Sequence, residues 1–400
     1  MGVYRSRLVG AIRNIVRARW KWAPQSARIA VLHGTNVPVL APLFGGEQYE
    51  VVPLDGEWLY LHPRILLSTL RYFVRIRRFT LTGALAAYAI AVLERIDPAI
   101  VVTYHDNSAV VHMAARYCRA ARFLAIQNGG RLLERDHPVG RSPQIYLREF
   151  ACLGRLDVDQ FERHGARVET YYPVGSLKDS YYRARRKGAA VVKDFDICLP
   201  SQFKPGARFT FSERLDGFAV LAAHVRRFCK AHETTLCVPL RTHPTLHPAW
   251  YAWEVRYLEQ LLGHCGRLCP NDPEAFTTYA LVDRSRVSIG MHTTVLREAF
   301  GRGNRVLSCN YTGNPVYTFP LPGPWTLTDP AYEAFEQRLL WLLNASEDEY
   351  SSACGDLPSY LIAYDEAMPT HAFLERLIAD AVQGVPKPSS GVISPRQQRL

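Results

Sequence analysis

Short apolar runs alternate with helix-period patterns along the whole chain. In the first half, runs bounded by polar or turn-forming residues read as buried strands over Arg28–Leu32, Tyr49–Pro53, Ile100–Tyr104, Phe123–Gln127 and Glu149–Leu153. In the second half the same pattern predicts strands over Asp196–Pro200, Thr235–Leu240, Arg286–Ile289 and Arg305–Ser308. Apolar residues three and four apart predict helices over Arg64–Val74, Leu81–Arg95 and Ala109–Ala120. Further helices are predicted over Glu213–Ala231, Ala249–Leu262, Pro273–Val282, Thr293–Phe300, Ala331–Leu343 and His371–Val382. Strand and helix in steady alternation imply an α/β protein with parallel sheets and right-handed crossovers.

At 400 residues the chain is long enough for two domains. A break falls near Pro173–Asp196, where Val174-Gly175-Ser176 closes the first half and the charged stretch Arg183–Lys193 precedes a fresh strand. The expected layout is a first domain over 1–178 and a second over 194–345. Helices over 346–382 are free to return to the first domain, and Pro, Ser, Gly and Gln make 383–400 a disordered tail. No internal repeat occurs.

The net charge of +11 is unevenly placed. No acidic residue precedes Glu47, while Arg5, Arg7, Arg13, Arg17, Arg19, Lys21 and Arg28 do, and Arg71, Arg75, Arg77 and Arg78 form a second basic run. Such a surplus suits nucleic acid, an anionic membrane or an anionic substrate. Leu8, Ile12, Ile15 and Val16 fall at helical spacing with Trp20 and Trp22 behind them. This stretch reads either as a membrane-surface helix or as a basic first helix packed on its domain. No run of about 20 apolar residues, the length a spanning helix needs, is present; Phe79–Leu93 is uncharged but shorter. No apolar signal-peptide core is seen at the N-terminus. The nine scattered cysteines fit a reducing cytoplasm, and Cys265-x-x-x-Cys269 lacks the second pair that a zinc site needs.

Two clusters in the second half carry candidate chemistry. Arg241-Thr242-His243-Pro244 follows one predicted strand, and Gly290-Met291-His292-Thr293-Thr294 with Glu298 stands where another turns into a helix. A small-residue strand-to-helix turn offers free N–H groups and a positive helix end, which together cradle phosphate. His243, placed on a neighbouring strand, would point into the same crevice and donate to phosphate or ribose, with Pro244 fixing the turn. Thr293 or Thr294 can equally be a plain N-cap, and Glu298 can equally sit on a solvated helix face. In the first half, Tyr104-His105-Asp106-Asn107-Ser108 opens a helix after a strand. Asp106 reads as a base facing an acceptor or as an N-cap. Asp55-Gly56-Glu57 competes for the base role, or is a surface turn. Gln127-Asn128-Gly129-Gly130-Arg131 reads as a ligand-contacting loop, with Arg131 gripping an anion, or as a tight turn. His112 sits in an apolar helix and reads as core. Asp157-Val158-Asp159 begins a helix rather than ending a strand, which disfavours a metal-dependent transferase. P-loop, G-x-S-x-G and G-x-G-x-x-G patterns are absent from the sequence.

These motifs, together with Ser288-Ile289 ahead of Gly290 and Ala299 after Glu298, resemble those of GT-B glycosyltransferases of bacterial surface-polysaccharide synthesis. The His-Pro and Thr-Thr pairs are similar to CMP-binding motifs of sialyltransferases and Kdo transferases. CDP-glycerol phosphotransferases of teichoic-acid synthesis carry a related arrangement, but have a His where Asn128 stands here. The resemblance implies two Rossmann-like domains facing each other across a cleft. It also implies inverting transfer of a Kdo- or sialic-acid-type sugar from a CMP donor, without cofactor or metal. Glu298 would hold ribose or cytidine hydroxyls. The acceptor would be a surface glycan or lipopolysaccharide, lipid-linked at the anionic cytoplasmic face of the inner membrane. The rivals are a CDP-polyol phosphotransferase, a GT-B sugar-nucleotide epimerase and a basic nucleic-acid-binding protein. For the last, Tyr172, Tyr181 and Tyr182 lie near Arg183, Arg185 and Arg186 without a recognised motif, so nucleic acid is not the expected partner.

Overall fold

In the computed structural model the described residues are 19–54, 58–118, 122–131, 133, 145–186, 188, 191–203, 212–291, 293–387 and 391–393. The chain divides into two compact units, Met1–Ser180 with Tyr364–Leu400, and Tyr181–Ala363.

The first unit begins with β1 (Arg19–Lys21) and β2 (Ile29–Leu32), followed by β3 (Tyr49–Val52) and β4 (Trp58–Tyr60). Helices α1 (Pro63–Ile76) and α2 (Leu81–Ile96) lead to β5 (Ile100–Thr103). Then come α3 (Ala109–Tyr117), β6 (Arg122–Ile126), β7 (Tyr146–Cys152), α4 (Arg155–Arg163), β8 (Arg167–Pro173) and the start of α5 (Leu177–Arg186), which runs on into the second unit from Tyr181. All strand pairs here are parallel, and the larger sheet runs β15-β8-β7-β6-β5-β2-β3. Strands β2, β5 and β6 are buried at every position, because a parallel sheet is covered on both faces. That is why they read as unbroken apolar runs.

Strand β7 starts three residues earlier than its apolar run, because Glu149 lies inside it, fully buried. Arg122 resolves that burial. Its Nε donates to Glu149 Oε1 at 3.1 Å, Nη2 donates to Oε2, and the Tyr172 hydroxyl donates to Oε2 at 2.9 Å. Arg122 Nη1 also donates to the Leu377 carbonyl, so the same guanidinium ties the last helix of the chain to this sheet. Strand β8 escapes the sequence pattern because Arg167 and Glu169 interrupt its apolar positions.

The second unit contains β9 (Phe195–Cys198), α6 (Ser212–His232), β10 (Leu236–Pro239), α7 (Pro248–Leu262), β11 (Arg267–Cys269) and α8 (Thr277–Asp283). These are followed by β12 (Ser285–Gly290), α9 (Thr294–Gly301), β13 (Arg305–Cys309) and β14 (Thr326–Leu327). Helices α10 (Tyr332–Asn344), α11 (Glu347–Cys354) and α12 (Leu357–Leu361) complete it. Its sheet is also parallel, in the order β11-β10-β9-β12-β13-β14. Asp283, at the end of α8, gathers Tyr182, Arg186, Arg302 and Asn304 within 3.0 Å. Burial pushes its carboxyl up, but Arg302 and the hydrogen bonds outweigh burial and hold it below the usual carboxylate range.

The last described elements are α13 (Thr370–Val382) and β15 (Gly391–Val392), both in the first unit. The Thr370 hydroxyl donates to the Val174 carbonyl, and Phe373 packs on Tyr172 at 5.6 Å. Inside the stretch read as a disordered tail, Gly391 and Val392 pair with Thr170 and Tyr171 on the open edge of β8. An unpaired strand edge captures such a segment whatever its composition.

Arg122→Leu would leave the Glu149 charge buried and uncompensated, so unfolding stability should drop by about 3–5 kcal/mol. Urea denaturation followed by circular dichroism checks this; an unchanged midpoint would show that Arg122 is not what neutralises Glu149.

Candidate functional site

In open parallel sheets, ligands collect at the carboxyl ends of strands, where the strand order reverses. In the second unit this switch lies between β9 and β12. Gly290 ends β12, and a Cβ there would come within 3.3 Å of Leu296. A glycine there spares the Leu296 side chain that close approach. Thr293 occupies the N-cap position of α9 with extended backbone, and its side chain makes no capping hydrogen bond. Thr293 is thus the N-cap by position, but its hydroxyl is not spent on the helix. Thr293 and Thr294 are half-buried, and His292 lies outside the described residues. Glu298 is buried rather than on a solvated face and accepts from the Tyr279 hydroxyl at 2.9 Å.

His243 does not stand on a strand next to β12. Strand β9 pairs with both β10 and β12 and separates them. Two strand spacings, about 10 Å, therefore part the His243 loop from the Thr293 turn. The spacing along the sequence suggested neighbours because β9 comes earlier in the chain and carries no motif. Its exit loop places Ser201 and Gln202, both buried, between the two motifs, and the Ser201 N–H donates to the Pro239 carbonyl at 3.0 Å. The sequence signal for them is only Pro200-Ser201-Gln202 at a strand end.

The β10 loop is rigidly set by a residue that motif reading missed. Glu254, on α7 and fully buried, accepts from the Arg241 N–H at 2.8 Å, the Thr242 N–H at 3.0 Å and the Thr242 hydroxyl at 2.6 Å. One carboxylate thus satisfies three donors of the turn. Beyond it, His243 Nδ1 accepts from the Thr245 N–H at 3.2 Å and faces the Thr245 hydroxyl at 2.7 Å. With Nδ1 an acceptor, the neutral ring carries its proton on Nε2, which becomes an aimed donor. Pro244 is half-buried in the same turn, and the Arg241 side chain is exposed.

The first unit has its own switch, between β2 and β5. His33 follows β2 with φ of 70°, a left-handed conformation that a bulky side chain adopts only where its surroundings impose it. His105 follows β5. The two imidazoles lie 4.2 Å apart, tilted by 40°, and Asn36 Nδ2 sits 3.2 Å from His105 Nδ1. His33 was invisible to motif reading, because a lone histidine after an apolar run carries no pattern.

Asp106 is buried and forked by Arg131, whose Nε donates to Oδ2 at 2.6 Å and whose Nη2 donates to Oδ1. Both carboxylate oxygens are engaged, so the pair joins the β5 and β6 loops rather than offering a free proton acceptor. Arg131 Nη2 also donates to Asn128 Oδ1 at 2.7 Å, and Asn128 Nδ2 to the Tyr104 carbonyl at 2.6 Å. Gln127 Nε2 donates to Asp157 and to the Gly129 carbonyl, while its Oε1 accepts from the Leu153 N–H. Gln127, Asn128, Gly129, Gly130 and Arg131 thus form a braced turn. Asn107 is exposed beside it. His112 is core, with its Nε2 2.7 Å from the Asp106 carbonyl. Asp55, Gly56 and Glu57 lie outside the described residues. Among the described residues no cluster of three His, Cys, Asp or Glu is placed to hold a metal ion.

No protein-family model and no curated protein matches the sequence. Solved structures do match. A candidate UDP-N-acetylglucosamine 2-epimerase from Listeria monocytogenes aligns over 92% of this chain and 100% of its own, with 14% identity and a TM-score of 0.53. The UDP-GlcNAc 2-epimerase of Methanocaldococcus jannaschii, complexed with UDP-GlcNAc and UDP, aligns over 89% and 99%, with 12% identity and a TM-score of 0.49. The wall teichoic acid polymerase TagF aligns over 93% and 90%, with 11% identity and a TM-score of 0.49. Identities this low speak to fold alone. The chain has the GT-B class of fold, with two Rossmann-like parallel α/β units, a class that contains both glycosyltransferases and sugar-nucleotide epimerases.

Glu254→Gln would set an NH2 group against donors of the β10 turn. Stability should fall by about 2–4 kcal/mol, read as a lower urea midpoint at constant m. A variant as stable as the parent would dismiss the clamp.

Proposed function

We propose that this protein is a GT-B glycosyltransferase whose second unit binds the nucleotide of an activated sugar. The observation that supports it best is the uncommitted Thr293 hydroxyl at the start of α9, placed at the sheet's switch point. Donors set in advance at a helix start stabilise the negative charge that grows on a departing phosphate. Thr293 and Thr294 would hold that phosphate. His243, two strands away, would donate from Nε2 to another part of the same nucleotide, with Arg241 and Pro244 shaping the loop. Glu298, fixed by Tyr279, would accept from ribose hydroxyls.

On the acceptor side, transfer with inversion needs a base for the acceptor hydroxyl. The acceptor oxygen attacks the anomeric carbon, its proton passes to the base, and the bond to phosphate breaks with the electron pair leaving on the nucleotide. The His33–His105 pair suits this role better than Asp106, whose two oxygens already hold Arg131. Gln127–Arg131 would line the acceptor or donor-sugar side. The preferred donor is a CMP-activated Kdo- or sialic-acid-type sugar, on the motif resemblance of His243-Pro244 and Thr293-Thr294. The preferred acceptor is a lipid-linked surface glycan at the inner-membrane face. Among the described residues no helix is long and apolar enough to cross a membrane.

A thermal-shift panel with CMP, CDP, UDP, GDP and dTDP, with and without EDTA, should show stabilisation by CMP that EDTA leaves intact, since a ligand binding only the folded state raises its stability. Stabilisation by UDP alone would replace the donor, and no shift with any nucleotide would remove the proposal.

His243→Ala should lower kcat by about a hundred- to thousand-fold at an unaltered melting temperature. Normal turnover in that variant would release His243 from the site.

His105→Ala should cut kcat by about a hundredfold or more while leaving the nucleotide-induced thermal shift unchanged. Loss of that shift would instead mean a role in binding. Conversion of the nucleotide-sugar in the absence of any acceptor would assign an epimerase.

A further inference from the structure

Helix α1 buries one face against the fold and exposes the opposite one. Ile65, Tyr72 and Ile76 are buried against the first unit's core. On the opposite side Leu66, Leu70 and Val74, one turn apart in succession, form an exposed apolar stripe with Leu67. Leu67 is 71% exposed and Leu70 61% exposed. Phe79, just past the helix, is 72% exposed and packs edge-on against Phe73 at 5.4 Å. Beside the apolar stripe runs a basic one, Arg64, Arg71 and Arg75, continued by Arg77 and Arg78, all exposed. None of these five arginines makes an ion pair with a described residue, and positions 58–93 contain no Asp or Glu at all. Aromatic groups stand at the helix start. Trp22, just past β1 and 68% exposed, stands edge-on to His62 at 5.4 Å, and the exposed Trp20 lies on β1, which pairs with β4.

So many strongly exposed large apolar side chains grouped on one helix are unusual on a surface facing only water. Its composition selects the occupant. A protein partner would be met by an apolar centre with a mixed polar rim. Here leucines and a phenylalanine are bordered by arginines of one sign and by tryptophans. That combination matches the hydrocarbon boundary, the anionic headgroups and the aromatic belt of a bilayer surface. We infer that α1, with Trp20, Trp22 and Phe79, is a docking surface for an anionic lipid bilayer. The leucines enter the acyl boundary and the arginines meet lipid phosphates. The surface is made up of residues 20–79 alone, and its action requires neither donor nor acceptor, so it stands or falls apart from the transferase reading.

The test is sedimentation of the full chain with vesicles of phosphatidylcholine alone and of phosphatidylcholine mixed with phosphatidylglycerol. The parent protein should pellet with the mixed vesicles and stay in solution with the neutral ones, and added salt should weaken binding. Leu67→Glu combined with Leu70→Glu should lower partitioning by about tenfold or more, and Arg71→Glu combined with Arg75→Glu should do likewise. Both pairs change exposed positions only, and unchanged melting temperatures confirm intact folding. Absence of binding to mixed vesicles overturns the inference. So does full binding by the leucine variant, which would move the contact elsewhere. A concentration-dependent dimer in light scattering, abolished by the leucine variant without any vesicle binding, would give the face to a second copy of the chain.

Discussion

The arrangement rests on one constraint: in each sheet the described strands are all parallel. In a parallel sheet every connection must cross back over a face, so both faces are covered and the central strands are largely apolar. The loops able to carry polar chemistry then emerge together at the carboxyl edge. Within each unit, the first core strand lies inside the sheet and later strands extend it on both sides. That growth pattern creates the switch between β2 and β5 and the switch between β9 and β12. His33 and His105 stand at the first, and Gly290 and Thr293 at the second.

Buried carboxylates pin these elements, and two of them, Glu254 and Asp106, secure the loops at the carboxyl edge. Glu149, Glu254, Asp283 and Asp106 are all buried, and each is surrounded by donors. A buried carboxylate without partners is strongly unfavourable, so each one fixes the position of whatever neutralises it. Glu254 draws in two backbone N–H groups, and Asp106 draws in a guanidinium from the next loop. These charges set the shape of the turns and leave other groups to meet a ligand. The distinction explains how Asp106, at a strand end and inside a conspicuous motif, becomes a brace, while the adjacent His105 meets His33 from another loop.

Helix α1 shows the complementary case. Its apolar residues outnumber what its core contact uses, and the excess is segregated on the outside next to arginines. A helical period in the sequence reports that a helix has apolar faces; it does not report how many of them the fold covers.

The elements and the loops bearing the motifs were legible in the sequence, because side-chain period depends on local geometry alone. Apolar runs located β2, β5, β6, β10, β12 and β13 to within a residue or two, and the strand-to-helix turn at Gly290–Thr294 was readable as such. Strands β7 and β8 were blurred, since Glu149, Arg167 and Glu169 break the pattern for reasons that lie in residues distant along the chain. Strand order, and with it the insertion of β9 between β10 and β12, was settled only by tertiary packing. The same holds for the Glu254 clamp, the Arg131 fork on Asp106 and the meeting of His33 with His105. Each joins residues from different elements, and which elements meet is decided by how sheets and helices bury their surfaces together, not by spacing along the chain.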